Sequence, residues 1–175
     1  TLNREVNVTG IYTMNNGGTT FNLNGYQLTI NGSYVRANGA FIGNALSNLI
    51  LNCTATDQNL VFSTTLNLNN LTINNSSASY ILGSALTTTN YNATDGTMTL
   101  GANLTTTNFT SVAGILQNDN NDRTLIVNSD LTINSGFTLR SNQTVTTNRT
   151  FTVQTTGSFI NNGVTDLYYL NGANN

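Results

Sequence analysis

The sequence predicts an all-β chain wound as a single-stranded parallel β-helix (β-solenoid) with turns of about 18–22 residues. Three observations lead there: a composition built for strands and tight turns, a recurring hexad, and a second repeated string with the same period.

Composition comes first. Of 175 residues, charged ones make up only 7%, while Asn and Thr each contribute about a fifth. Thr, Ile, Val, Phe and Tyr favour strands, whereas Asn and Gly favour tight turns. Polar low-complexity chains that stay disordered are rich in Pro, Glu, Lys and Gln. This one has no Pro and no Lys, and its Leu, Ile, Val, Phe and Tyr recur regularly throughout. Proline would remove a donor from a ladder in which interior strands bond on both sides, so its absence fits many paired strands.

The hexad is Leu28-Thr29-Ile30-Asn31-Gly32-Ser33, repeated as Leu71-Thr72-Ile73-Asn74-Asn75-Ser76 and Leu131-Thr132-Ile133-Asn134-Ser135-Gly136. A weaker copy reads Phe151-Thr152-Val153-Gln154. The starts lie 43, 60 and 20 residues apart, near two, three and one multiples of about 20. Independently, Leu82-Gly83-Ser84-Ala85-Leu86-Thr87-Thr88-Thr89-Asn90-Tyr91 matches Leu100-Gly101-Ala102-Asn103-Leu104-Thr105-Thr106-Thr107-Asn108-Phe109 at an offset of 18. A unit this short cannot hold a helical hairpin or a propeller blade. It suits one solenoid turn of two or three short strands. About eight or nine such turns, stacked at about 4.8 Å, would make a rod on the order of 40 Å long.

Each element follows from that unit. Alternation places Leu28 with Ile30, Leu71 with Ile73 and Leu131 with Ile133 on the interior face, with the intervening Thr outside. Stacked Asn can bond to the Asn above and below, and Asn also tolerates left-handed corners. Gly25, Gly32, Gly39, Gly83, Gly101, Gly136, Gly157 and Gly163 supply further bends. Low charge fits too, because a charged position would meet its like-charged copy in the next turn. Cys53, the lone cysteine, reads as a small core residue and excludes an internal disulfide. Residues 1–175 therefore form one solenoid domain, either whole or as a module of a longer chain.

Asn22-Leu23-Asn24-Gly25-Tyr26-Gln27-Leu28-Thr29-Ile30-Asn31-Gly32, followed by Gly43-Asn44-Ala45-Leu46-Ser47-Asn48-Leu49-Ile50-Leu51-Asn52, resembles the Asn/Thr-rich β-strand-repeat segments of very large Bacteroidota surface proteins. Leu60-Val61-Phe62-Ser63 running into Leu68-Asn69-Asn70-Leu71-Thr72-Ile73-Asn74 extends the likeness, which is clearest over residues 20–110. The resemblance implies export across the outer membrane, often by the type IX route, and a role in adhesion or gliding. It transfers no catalytic residue.

For chemistry, the chain offers little. Without His or Lys there is no Ser-His-Asp, Cys-His or Ser-Lys machinery. Polysaccharide-cleaving β-helices need clustered carboxylates, whereas Glu5, Asp57, Asp95, Asp119, Asp122, Asp130 and Asp166 are mostly far apart. The one cluster, Asn118-Asp119-Asn120-Asn121-Asp122-Arg123, makes Asp119 and Asp122 weak calcium candidates, but it lacks the EF-hand glycine and terminal Glu and reads better as a solvated loop. Asn-x-Ser/Thr triplets occur about as often as composition makes them. The triplets Thr87-Thr88-Thr89 and Thr105-Thr106-Thr107 could form a flat hydroxyl array, but with only two of them strand propensity and ladder stacking account for them better.

The expected function is a structural or adhesive module of the bacterial cell surface, secreted, non-enzymatic and without a cofactor. Alternatives are a glycan-gripping phage fibre or spike and a polysaccharide-cleaving β-helix. Expected partners are neighbouring repeats or identical subunits stacked end to end, and surface glycans. A net charge of −2 with five scattered Arg provides no footprint for nucleic acid. No apolar run is long enough to span a membrane.

Overall fold

In the computed structural model, residues 1–63, 66–119, 121, 123–129, 131–134 and 136–140 are described, except for the side chains of Leu66 and Arg140. Beyond them, only the backbones of the strands at 151–155, 159–161, 164–165 and 169–170 are described. The chain is all-β and about 68% strand, coiled as a parallel β-solenoid.

The first strands are short: β1 (Val6–Val8), β2 (Ile11–Met14), β3 (Thr20–Asn22), β4 (Gln27–Ile30), β5 (Ser33–Arg36), β6 (Ala40–Ile42), β7 (Asn48–Leu51) and β8 (Ala55–Leu60). Two long ones follow, β9 (Leu66–Leu82) and β10 (Leu86–Leu100), which pass around corners without leaving the ladder. The rest are β11 (Leu104–Ser111), β12 (Ala113–Asn118), β13 (Arg123–Val127), β14 (Leu131–Ile133), β15 (Gly136–Arg140), β16 (Phe151–Thr155), β17 (Phe159–Asn161), β18 (Val164–Thr165) and β19 (Tyr169–Leu170). Among the described residues every strand pairing is parallel.

Register is the main result. One column of Cα partners runs Val6, Leu28, Leu49, Leu71, Tyr91, Phe109, Leu131, Phe159. All three Leu-Thr-Ile-Asn segments lie in that column, and the Leu86–Ala93 string sits residue for residue on Leu104–Ser111. Successive spacings are 22, 21, 22, 20, 18, 22 and 28 residues. Val6 to Leu131 makes about six turns. That is fewer than the eight or nine expected from dividing all 175 residues by 20, since these six turns span the 125 residues from Val6 to Leu131. The weaker copy falls elsewhere: Phe151 pairs with Arg123 and Val153 with Leu125, while Phe159 takes the position over Leu131.

The interior follows from alternation. Leu28, Ile30, Leu49, Leu51, Leu71, Ile73, Leu131 and Ile133 are buried, and Thr29, Thr72 and Thr132 are half-buried on the outer side. Each fully buried Leu or Ile contributes about 1.5–3 kcal/mol. In the first turns the interior is filled with rings. Tyr12 stacks on Tyr34 at 5.9 Å, Tyr34 on Phe41 at 6.1 Å, and Phe41 packs against Phe62 at 5.9 Å. Buried Tyr34 and Tyr80 find carbonyl partners, Tyr34 Oη donating to Asn59 O at 3.0 Å and Tyr80 Oη to Cys53 O at 3.2 Å. Cys53 is a buried free thiol, as a core residue should be, and its Sγ lies 3.1 Å from Tyr80 Oη.

Corners use the expected chemistry at some places and a different one at others. Asn24, Gly25 and Gly39 take left-handed φ of 52°, 84° and 92°. Gly157 and Gly163 lie outside the described residues. Gly96 and Gly114 are stacked corner glycines with φ of 92° and 98°, and neither was expected. A Cβ on Gly114 would land on the carbonyl oxygen of Gly96, so the stack needs both the left-handed φ and the missing side chain.

Candidate binding face

The outer surface of the sheet holding β1, β4, β7 and the middle segments of β9, β10 and β11 is built from residues at every second position. Its edge column is Gln27, Asn48, Asn70, Asn90, Asn108, and its central column is Asn7, Thr29, Ile50, Thr72, Asn92, Thr110. These side chains are half-buried or exposed, and none is charged.

Asn amides knit this face together. Asn70 Nδ2 donates to Asn48 Oδ1 at 2.6 Å, Asn90 Nδ2 to Asn70 Oδ1 at 2.7 Å and Asn108 Nδ2 to Asn90 Oδ1 at 2.8 Å. A second ladder starts at Asn7 of the central column and rises along the far edge, with Asn31 bonded to Asn7, Asn52 to Asn31 at 2.9 Å and Asn74 to Asn52 at 3.3 Å. Every rung uses one donor and one acceptor of each interior amide, leaving its remaining N–H and lone pair for solvent or a ligand. Among the described residues no buried side-chain polar atom lacks a partner.

The threonine triplets contribute less surface than a flat array requires. Leu86 and Leu104 point inward, so alternation carries Thr88 and Thr106 inward as well, where both are buried. Their hydroxyls close the corner, Thr88 Oγ1 donating to Asn90 O at 3.0 Å and Thr106 Oγ1 to Asn108 O at 2.8 Å. The hydroxyl columns left outside are Thr87 over Thr105 and Thr89 over Thr107.

Asp119 sits in the loop between β12 and β13. Arg123 binds it in a two-pronged ion pair, Nε to Oδ1 at 2.9 Å and Nη2 to Oδ2 at 2.6 Å. Asn121 N and Nδ2 each donate a further bond at 3.0 Å. Partial burial would raise this carboxyl, but the bonds from Arg123 and Asn121 outweigh it and hold the group below the usual carboxylate range. Both oxygens are therefore committed to protein donors. Asp122 lies outside the described residues. Among the described residues no three His, Cys, Asp or Glu side chains gather closely enough to hold a metal ion.

Other titratable groups lie deep inside, Cys53 and Tyr80 among them. Burial pushes the Cys53 thiol up, and burial pushes the Tyr80 phenol far above its ordinary value. Both are locked in the core. Open hollows occur at the coil's first turn, where Tyr12, Met14, Thr19 and Phe21 line a cleft of about 400 Å³, and at the neighbouring corner beside Arg36 and Gly39, about 360 Å³. Among the described residues, no helix is long and apolar enough to cross a membrane. Compared with known proteins, the chain matches no family model, no curated protein and no solved structure.

Proposed function

We propose that this chain is a structural and adhesive module of a bacterial cell surface, a stiff rod that presents the Asn/Thr face to what it grips. The observation that supports the reading is the combination of a continuous buried apolar core with in-register Asn ladders outside it. Every rung is tied to its neighbours through backbone, core and amide columns at once, which resists bending and local opening. The exposed amides and hydroxyls repeat at about 4.8 Å along the coil and about 6.6 Å along each strand. Such an uncharged, regularly spaced face suits a neutral polyhydroxyl surface, where many weak contacts add up through multivalency. The sequence likeness to β-strand-repeat surface proteins points the same way and favours a secreted, extracellular setting.

Beads carrying the 175-residue chain and held under flow against a dextran-coated surface test this. Retention well above albumin-coated beads, reduced severalfold by T72E together with T110E at unchanged melting temperature, is expected. Retention no better than albumin would rule out the adhesive role.

A further inference from the structure

We infer that the Asn16–Gly17 corner is a self-modification site, where the chain turns an amide into a carboxylate without an enzyme. The other described Asn–Gly corners are held back from the same reaction by their hydrogen bonds. The inference goes beyond the rod reading and does not depend on it.

Asparagine is chemically labile because the backbone nitrogen that follows it can attack its side-chain Cγ. That nitrogen bonds to Cγ and gives its proton to solvent, while the side-chain nitrogen leaves as ammonia. The product is a cyclic imide. Water then opens the ring at either carbonyl, leaving Asp or its isomer with the backbone routed through the side chain. No electrons change hands, and water is the only co-reactant. Glycine is the fastest neighbour, since it has no Cβ to block the approach. Two further conditions apply: the amide must be free to swing onto the nitrogen, and that N–H must not be engaged elsewhere.

Four Asn–Gly steps lie among the described residues, at Asn16, Asn24, Asn31 and Asn38. At the second, Gly25 N donates to Ser47 Oγ at 2.9 Å and Asn24 Nδ2 to Leu2 O at 3.1 Å, so nucleophile and amide are both occupied. At the third, Asn31 is clamped in its ladder, donating to Asn7 Oδ1 and accepting from Asn52 Nδ2 at 2.9 Å. At the fourth the backbone is fixed on both sides: Asn38 N donates to Met14 O at 3.0 Å, and Gly39 O accepts from Arg36 Nε at 2.8 Å.

Asn16–Gly17 differs from all three. Both residues are exposed, and among the described residues neither the Asn16 side chain nor the Gly17 N–H has a hydrogen-bond partner. The turn is closed through Asn16 O alone, which accepts from Thr19 N at 3.3 Å and from Thr19 Oγ1 at 2.6 Å. Closure there leaves Cγ free to rotate towards Gly17 N. The new charge is also tolerated where it forms. Gly17, Gly18 and Arg36 line one hollow of about 360 Å³. Among the described residues the one ion pair joins Arg123 to Asp119, so Arg36 carries a charge that no carboxylate neutralises. A carboxylate at position 16, next to this hollow, takes the net charge from −2 to −3 close to a lone cation.

The test is to hold the 175-residue chain in mildly alkaline buffer and map its peptides over time. The readouts are isoaspartate and the mass gained when NH2 is replaced by OH. Asn16 should convert severalfold faster than Asn24, Asn31 and Asn38, with circular dichroism and melting unchanged. G17A places a Cβ whose nearest neighbour is Asn38 Cγ at 3.9 Å, so it should fold alike and slow position 16 severalfold. N7A combined with N52A unclamps the Asn31 amide and should speed conversion there severalfold. Conversion at Asn24, Asn31 or Asn38 that equals or outruns Asn16 would overturn the inference. So would G17A converting at the wild-type rate, or Asn31 staying slow once both ladder partners are gone. Fresh protein that fails to hold beads to dextran would sink the adhesive reading and leave this one standing.

Discussion

The early and late turns of this coil solve the same problem with different materials. From Val6 to Leu71 the turns take 21–22 residues and break into separate short strands. Their interior holds a cluster of five rings, Tyr12, Phe21, Tyr34, Phe41 and Phe62, against which Tyr80 of the next turn packs. Between Leu71 and Phe109 the turns shrink to 20 and then 18 residues, and β9 and β10 run almost unbroken. Leu86, Leu104, Met98, Leu100, the stacked Tyr91 and Phe109, and the inward Thr88 and Thr106 line that part. The longer turns thus gather their rings into one cluster beside the Leu/Ile column, whereas the shorter turns carry their rings, Tyr91 and Phe109, within that column.

The comparison is sharpened most by cutting the fillers. F41A should cost about 4 kcal/mol, and L104A about 3, because a larger ring leaves a larger void. Urea titration of both variants checks this, and an F41A cost below that of L104A would break the distinction. Alkaline pH attacks the same rings. Burial holds Tyr34, Tyr80 and Tyr91 protonated well beyond their unfolded value. The stability this lends is whole below about pH 10 and falls as pH rises past it, by about 1.4 kcal/mol per unit for each tyrosine. Tyrosinate absorbance from these three should therefore appear together with loss of strand circular dichroism. Ionisation before unfolding would contradict their burial.

Corners come next. G114A should cost about 3 kcal/mol, since strain and collision with Gly96 act together. G18A, with φ of 79° and open space around it, should cost about 1 kcal/mol. Thermal melts of the pair separate strain from contact. On the outer face, N90D keeps the acceptor for Asn108 but loses the donor to Asn70, a loss of about 1–2 kcal/mol. The smallest effect is expected from R123A. Its ion pair with Asp119 lies near the surface and should be worth less than about 1 kcal/mol.

Much of this was readable in advance. The parallel solenoid, the common column of Leu28, Leu71 and Leu131, the Asn ladders and the buried Cys53 all follow from period and alternation, which are local properties of the sequence. What escaped depends on neighbours one turn away. Gly96 and Gly114 are separated by a full turn and become a pair only once Thr97 is known to sit on Ile115. Phe151 looks like another Leu of the hexad, yet the 28-residue spacing before Phe159 moves it to a different side of the coil. The inward turn of Thr88 was legible, because it shares parity with Leu86, but its hydroxyl suggested a surface. Asp119 read as part of a solvated loop and only weakly as a cation ligand, but spacing alone did not reveal that Arg123, four residues on, folds back onto it.

The account depends above all on equivalent residues standing directly over one another. Spin labels on cysteines replacing Thr29 and Thr110, and Thr29 and Thr132, in a C53S background measure that by pulsed electron resonance. Four ranks separate the first pair and five the second, so backbone separations of about 19 and 24 Å are expected. Equal distances, or a second pair closer than the first, would show that these segments do not share a column.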